Sequence, residues 1–249
     1  KAGVNYQLDT KNSFYGFLGV ANKEPRRDDY ESGSVKPERL IDYELGWKYN
    51  TQKVKISANA FYMNYKDQLV LTGALNDVGS PIFTNSGKSY RVGLEVESTI
   101  AIADKLILNP NVTLSQNKNQ DFYFQRDGFL QNLGNTDIAF SPNLIVGNRL
   151  TFLPIKDFQI SLLSKFVSEQ YMGNIDSKQS KLGAYFVNDL NINYEWKINK
   201  SIKSIVLSGL VNNIFDLEYE SNGYFYTYDD DWSSPGNITT IEGAGYFPQ

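Results

Sequence analysis

Apolar and polar residues alternate along most of this chain with a period of two. Between Leu40 and Tyr49 the apolar set Ile41, Tyr43, Leu45, Trp47 and Tyr49 interleaves with Asp42, Glu44, Gly46 and Lys48, and a strand sends two such sets to opposite faces. Val54, Ile56, Ala58, Ala60 and Tyr62 against Lys55, Ser57 and Asn59 repeat the pattern, and the connector 50–53 is short enough for a hairpin, so the two strands pair antiparallel. The pattern returns in Val92, Leu94, Val96 and Ile100 against Arg91, Glu95, Glu97 and Thr99, and in Leu106, Leu108, Val112 and Leu114 against Asn109, Asn111, Thr113 and Ser115. Phe140, Leu144, Val146, Leu150 and Phe152 oppose Ser141, Asn143, Arg149 and Thr151; Phe158, Ile160, Leu162 and Phe166 oppose Gln159, Ser161 and Lys165. Phe186, Leu190, Ile192, Tyr194 and Trp196 oppose Asp189, Asn191, Asn193 and Glu195, and a further strand runs from Ser204 to Tyr219. With weaker runs over 2–8 and 13–22, the sequence predicts about ten strands of roughly 8–17 residues and an all-β fold.

The connectors alternate between short (9–12, 50–53, 103–105, 154–157, 199–203) and long (23–38, 68–87, 117–138, 172–180, 220–246). One end of the sheet is therefore trimmed and the other elaborated. Many of these strands exceed the five or six residues usual in soluble sheets and reach the length needed to cross a bilayer at a tilt. On the apolar faces the aromatics sit near strand ends: Trp47, Tyr49, Phe152, Tyr194 and Trp196 by short turns, and Tyr62, Tyr90 and Tyr171 toward long loops. That is the arrangement of two interfacial girdles around an aliphatic band. Alternation alone also suits a soluble sandwich or propeller with the aliphatic faces inside; strand length, connector rule and girdles favour a transmembrane antiparallel β-barrel.

Composition narrows the chemistry. The 249 residues include 17 Tyr and 15 Phe but no Cys and no His, which removes thiol nucleophiles, thiolate metal sites and histidine-based general bases. A net charge of −4 argues against a nucleic-acid partner. A mean hydropathy of −0.40 and the lack of an apolar run near 18 residues exclude a transmembrane helix but leave a strand-built barrel open.

Five segments carry a family resemblance. Lys23–Tyr30, Lys36–Gly46 (with Pro37-Glu38 leading into a strand that carries Glu44 and Gly46), Tyr62–Gln68, Tyr90–Glu95 and Val211–Asp216 with Tyr219 resemble, in order and spacing, the C-terminal barrel of TonB-dependent outer-membrane receptors, particularly those of Bacteroidota type. Ile214 stands where the last motif more commonly has Leu. The resemblance implies about ten strands of a 22-strand barrel, and residues 1–249 as a single partial domain, with Gly245–Gln249 approaching a last strand. It implies an outer-membrane location with long loops outside, and import of a scarce nutrient, foremost an iron-siderophore or similar metal chelate. The partners implied are the remainder of the barrel and its plug domain, the TonB complex in the inner membrane, outer-membrane lipid, a small-molecule or chelate ligand, and in some such systems a surface lipoprotein. A non-importing barrel with a structural, secretion or adhesion role, and a soluble all-β binding module, are the alternatives. No cofactor, metal or catalytic residue is assigned. A small closed barrel acting as an outer-membrane protease would want a histidine beside its carboxylates.

Candidate binding residues are in the loops. Tyr224, Phe225, Tyr226, Tyr228 and Trp232 around Asp229-Asp230-Asp231 suit a ligand-capture surface, because planar rings bind with little entropy loss; packing of the loop is the alternative. The three aspartates suit either Ca²⁺ or a solvated acidic turn. Arg26 and Arg27, followed by Asp28 and Asp29, suit an anionic ligand, bidentate pairing that ties the loop to the plug, or an intra-loop ion-pair cluster. Asp42, Glu44, Lys48, Arg91, Glu95, Glu97, Arg149, Lys165, Asp189 and Glu195 are expected to face a wet lumen or plug, since so many charges on one face are costly in a dry core. Glu95 and Glu97 share a face as acid/base pairs do, without a visible cleft or partner.

Overall fold

The computed structural model describes residues 1–75, 78, 80–198, 203–234 and 236–249. Ten strands form one antiparallel meander: β1 Ala2–Gln7, β2 Asn12–Lys23, β3 Glu38–Asn50, β4 Val54–Lys66, β5 Lys88–Ala103, β6 Leu106–Gln120, β7 Leu144–Phe152, β8 Phe158–Val167, β9 Tyr185–Lys197 and β10 Ser204–Val211. Each pairs with its successor, so spatial order equals chain order, and among the described residues β1 and β10 are the two free edges. A separate hairpin follows, β11 Glu220–Asp230 with β12 Thr239–Pro248.

Register follows the alternation. Leu45, Ala60, Leu94, Leu114 and Leu144 stand side by side across five strands on one face. That face is uncovered: Leu45 is 70% exposed, and Leu18, Leu94, Leu114, Val146 and Ile192 are exposed with it. Flanking rings gather toward the long loops, where Tyr62 lies 6.3 Å from both Tyr43 and Tyr90, and by the short turns, where Trp47–Tyr49 and Phe158–Tyr194 are each 6.1 Å apart. The buried hydrophobic residues lie mostly elsewhere. Among the described residues they include Val35, Leu69, Val70, Ile82, Phe122, Ile138, Met172 and Leu182, all in long connectors. A sheet that leaves a contiguous aliphatic face bare while its loops hold the core is built for lipid contact, where pairing between strands satisfies the backbone.

Three boundaries differ from the sequence reading. Phe140 does not open β7: its φ is +52°, and Pro142, which has no N–H to give, delays the strand to Leu144. The strand expected over Ser204–Tyr219 stops at Val211, because Asn213 and Asp216 adopt positive φ and Asn213 donates its backbone N–H to Asp189 Oδ1 (2.7 Å), with its side chain bonded to Leu217 in both directions. The connector 220–246 is not a plain loop but the β11/β12 hairpin, in which Gly245, Tyr246, Phe247 and Pro248 pair with β11. Of the short turns, 199–203 lies largely outside the described residues.

Candidate functional site

The long connectors fold onto one another. Leu69–Leu75 pairs with Pro81–Asn85, Tyr123–Arg126 with Phe129–Asn132, and Gln170–Tyr171 with Lys181–Leu182. Asn174, 4% exposed, joins them: its Oδ1 accepts from Ala139 N (3.0 Å) and Asn119 Nδ2 (3.4 Å), and its Nδ2 donates to the Leu71 carbonyl (3.2 Å). The β11/β12 hairpin is held by Arg126–Glu242 (2.8 Å), by the reciprocal bonds Asp127 N to Thr240 Oγ1 (2.7 Å) and Thr240 N to Asp127 Oδ1 (2.8 Å), and by Ser177 donating to Glu242. Phe225 lies on bare backbone, since a Cβ at Gly173 would come within 2.5 Å of its ring.

Between these loops is a cavity of about 1270 Å³. Phe122, Tyr123, Phe124, Leu130, Phe140, Met172, Tyr224, Phe225 and Tyr226 line it, with polar atoms from Thr72, Thr84, Gln125, Asn174, Asn222 and Thr227. An aromatic-lined hollow with a few convergent amides and hydroxyls is the usual form of a small-molecule site. Phe140 also borders a second hollow of about 330 Å³, lined by Glu44, Asn59, Phe61, Arg91, Glu95, Ser115 and Asn117 on the sheet's polar face. Phe140 thus lines both.

The sequence candidates divide. Tyr224, Phe225 and Tyr226 line the cavity. Tyr228 and Trp232 continue a ring ladder with Tyr226, spaced 6.4 and 5.8 Å with interplanar angles of 11° and 5°, beyond the lining. Arg26 lies outside the cavity, 3.5 Å from Asp29 and 4.7 Å over the Phe83 ring, and Arg27 is exposed near it. Asp229 accepts from Thr240 Oγ1 (2.7 Å), and Asp230 caps the hairpin turn by accepting from Trp232 N and Ser233 N. Asp230 thus serves its own loop, while Asp229 also accepts from Gln125 Nε2 (3.4 Å) on the 123–126 segment. Register puts Asp42, Glu44, Lys48, Arg91, Glu95, Glu97, Arg149, Lys165, Asp189 and Glu195 on the face opposite the aliphatic row. Glu44, Arg91 and Glu95 share the smaller hollow, and Arg149, Lys165 and Asp189 share another of about 390 Å³. Sequence reasoning missed Phe122, Phe124, Phe140, Met172 and Asn174. The run Phe122-Tyr123-Phe124 in a long connector was the available signal.

Asp176 sits at the floor of the loop cluster and accepts from Asp137 N at 2.7 Å. Burial, and secondarily the nearby Asp137 charge, hold its carboxyl above the ordinary 3.8. Folding thus favours its neutral form, a contribution present below the unfolded value and lost as pH rises through the folded one. Limited proteolysis of 168–184 is therefore expected to slow on acidification across the interval just above 3.8, and Asp176→Asn, which keeps the acceptor, is expected to flatten that dependence. A variant as pH-sensitive as the parent would refute the assignment.

The family model described as TonB-dependent receptor-like β-barrel matches residues 1–214. The chain belongs to this family. It is an outer-membrane β-barrel segment, with its short turns and long loops at opposite ends. Among curated relatives, the pesticin receptor of Yersinia enterocolitica is 27% identical over 191 residues, 75% of this chain and 26% of that protein. Among solved structures, the ferric yersiniabactin uptake receptor FyuA from Yersinia pestis superposes with a TM-score of 0.67 at 18% identity, covering 98% of this chain and 34% of the receptor. The copper transporter OprC gives 0.68 at 19% identity, covering 99% of this chain and 38% of the transporter. The chain spans about a quarter of the curated relative's length and about a third of these structures. At such identities the structures speak for the fold, and the neighbours are named as transport receptors.

Proposed function

We propose that this barrel segment belongs to a TonB-energised receptor that captures a metal chelate from outside the cell and passes it through the lumen. The aromatic cavity between the long loops carries the reading: it lies at the loop end, it is large enough for a chelate, and its floor adjoins the polar face through Phe140. On this reading the charged face from Asp42 to Glu195 meets water and the plug domain, which suits a row of ionised groups better than a dry core. The barrel does no covalent chemistry; binding and passage are its work.

The test uses the complete receptor in cells dependent on it for iron. Phe225→Ala combined with Tyr226→Ala removes two rings of the lining, and growth under iron limitation and uptake of labelled ferric chelate are expected to fall about tenfold or more, at unchanged surface abundance. Uptake equal to the parent's would remove the cavity from the transport path.

A further inference from the structure

The cavity wall holds no Asp, Glu, Lys or Arg among its described lining residues, in a protein that is 21% charged. A lining of that size drawn at random would carry about four charges. Three cations near the wall are ion-paired. Arg126 pairs with Glu242 at 2.8 Å and lies over the Phe124 ring, Lys118 pairs with Asp137 at 2.8 Å, and Lys181 pairs with Glu169 at 2.7 Å. The polar atoms that do reach the cavity are uncharged donors and acceptors, among them Gln125, Asn174 and Asn222.

An anion moved from water against this wall loses hydration and gains no countercharge from it, a cost of several kcal/mol per uncompensated charge; sites for anions supply guanidinium forks or ammonium groups instead. From this we infer that, given the import reading above, the ligand is a chelate of no net charge with aromatic or aliphatic outer surface, and not a multiply anionic one such as a ferric tris-catecholate. Rings would stack on Tyr224, Phe225 and Tyr226, and the amides of Gln125 and Asn222 would fix orientation.

The test measures binding to the complete receptor by fluorescence quenching with two probes: a ferric trihydroxamate on a neutral backbone, of charge zero, and ferric tris-catecholate, of charge −3. The neutral probe is expected to bind at least about tenfold tighter, with a Kd that changes less than about twofold between about 50 and 500 mM salt. Asn222→Lys, at an exposed lining position, is expected to narrow the gap by about tenfold or more and to make tris-catecholate binding salt-dependent. Tighter, steeply salt-dependent binding of the trianion to the parent receptor would overturn the charge assignment while leaving import standing. If neither probe bound and neither supported iron-limited growth, the import reading would fall and this inference with it.

Discussion

Replacing Gly93 by valine is expected to keep the complete receptor from assembling. Gly93 sits in β5 where a Cβ would stand 2.5 Å from the Leu114 carbonyl oxygen and 2.6 Å from the Phe61 ring. The ring could swing away, but the carbonyl belongs to β6, whose register with β5 is continuous through this point. Relief therefore requires the two strands to part. Overpacking of a tight site costs about 1–3 kcal/mol when side chains can yield, and more when backbone must. The folded, heat-modifiable fraction in the outer membrane is expected to fall about tenfold or more. Gly209→Ala is the matched control, because a Cβ at Gly209 in β10 meets open space, and it should assemble like the parent. Normal assembly of the Gly93 variant would show that β5 and β6 are not packed as described.

The second large effect is expected at Asn174. Asn174→Leu is nearly isosteric but leaves the Ala139 N–H and the Leu71 carbonyl without the partner that Asn174 gives each of them. Each part-buried backbone group left unpaired costs about 1–3 kcal/mol, so the loops it joins should separate while the meander, which it meets through the Asn119 side chain at the end of β6, stays intact. The expected outcome is wild-type heat-modifiability, faster proteolysis within 168–184, and chelate binding weakened about thirtyfold or more. Unchanged binding would mean that the cavity does not depend on this junction.

How far the sequence could be read differs between sheet and site for a physical reason. The side chains of β3 and β4 face alternately toward lipid and toward the polar interior, so Tyr43, Leu45 and Trp47 announce their face with no knowledge of distant partners. The reading failed where backbone conformation overrode alternation. Phe140 fitted the apolar phase but precedes Ser141-Pro142 and turns at positive φ; Val211 onward kept an apolar rhythm that Asn213 and Asp216 break. The hairpin was expected only as a long connector over 220–246; the signal it left is the spacing of Tyr224, Tyr226 and Tyr228 against Gly243 and Gly245, where the glycines let the rings of Tyr226 and Tyr224 lie flat on the partner strand. Of the cavity only the Tyr224–Tyr226 wall was legible, since Thr72, Phe122, Met172 and Phe225 come from four connectors and no local spacing brings them together.

The one-to-one match of chain order and spatial order makes the hairpin the unit of change in this molecule. Each odd-numbered strand of the meander is tied to the next by only a few residues and to its other neighbour through a long connector. Loop-closure entropy within a hairpin is small, and among the described strands of the meander no pairing depends on a remote segment arriving first. A whole hairpin could therefore be gained or lost in descent with every other register kept and both termini left on the same side of the membrane, whereas a single strand could not. Strand number can drift in steps of two while the long loops evolve independently above the sheet.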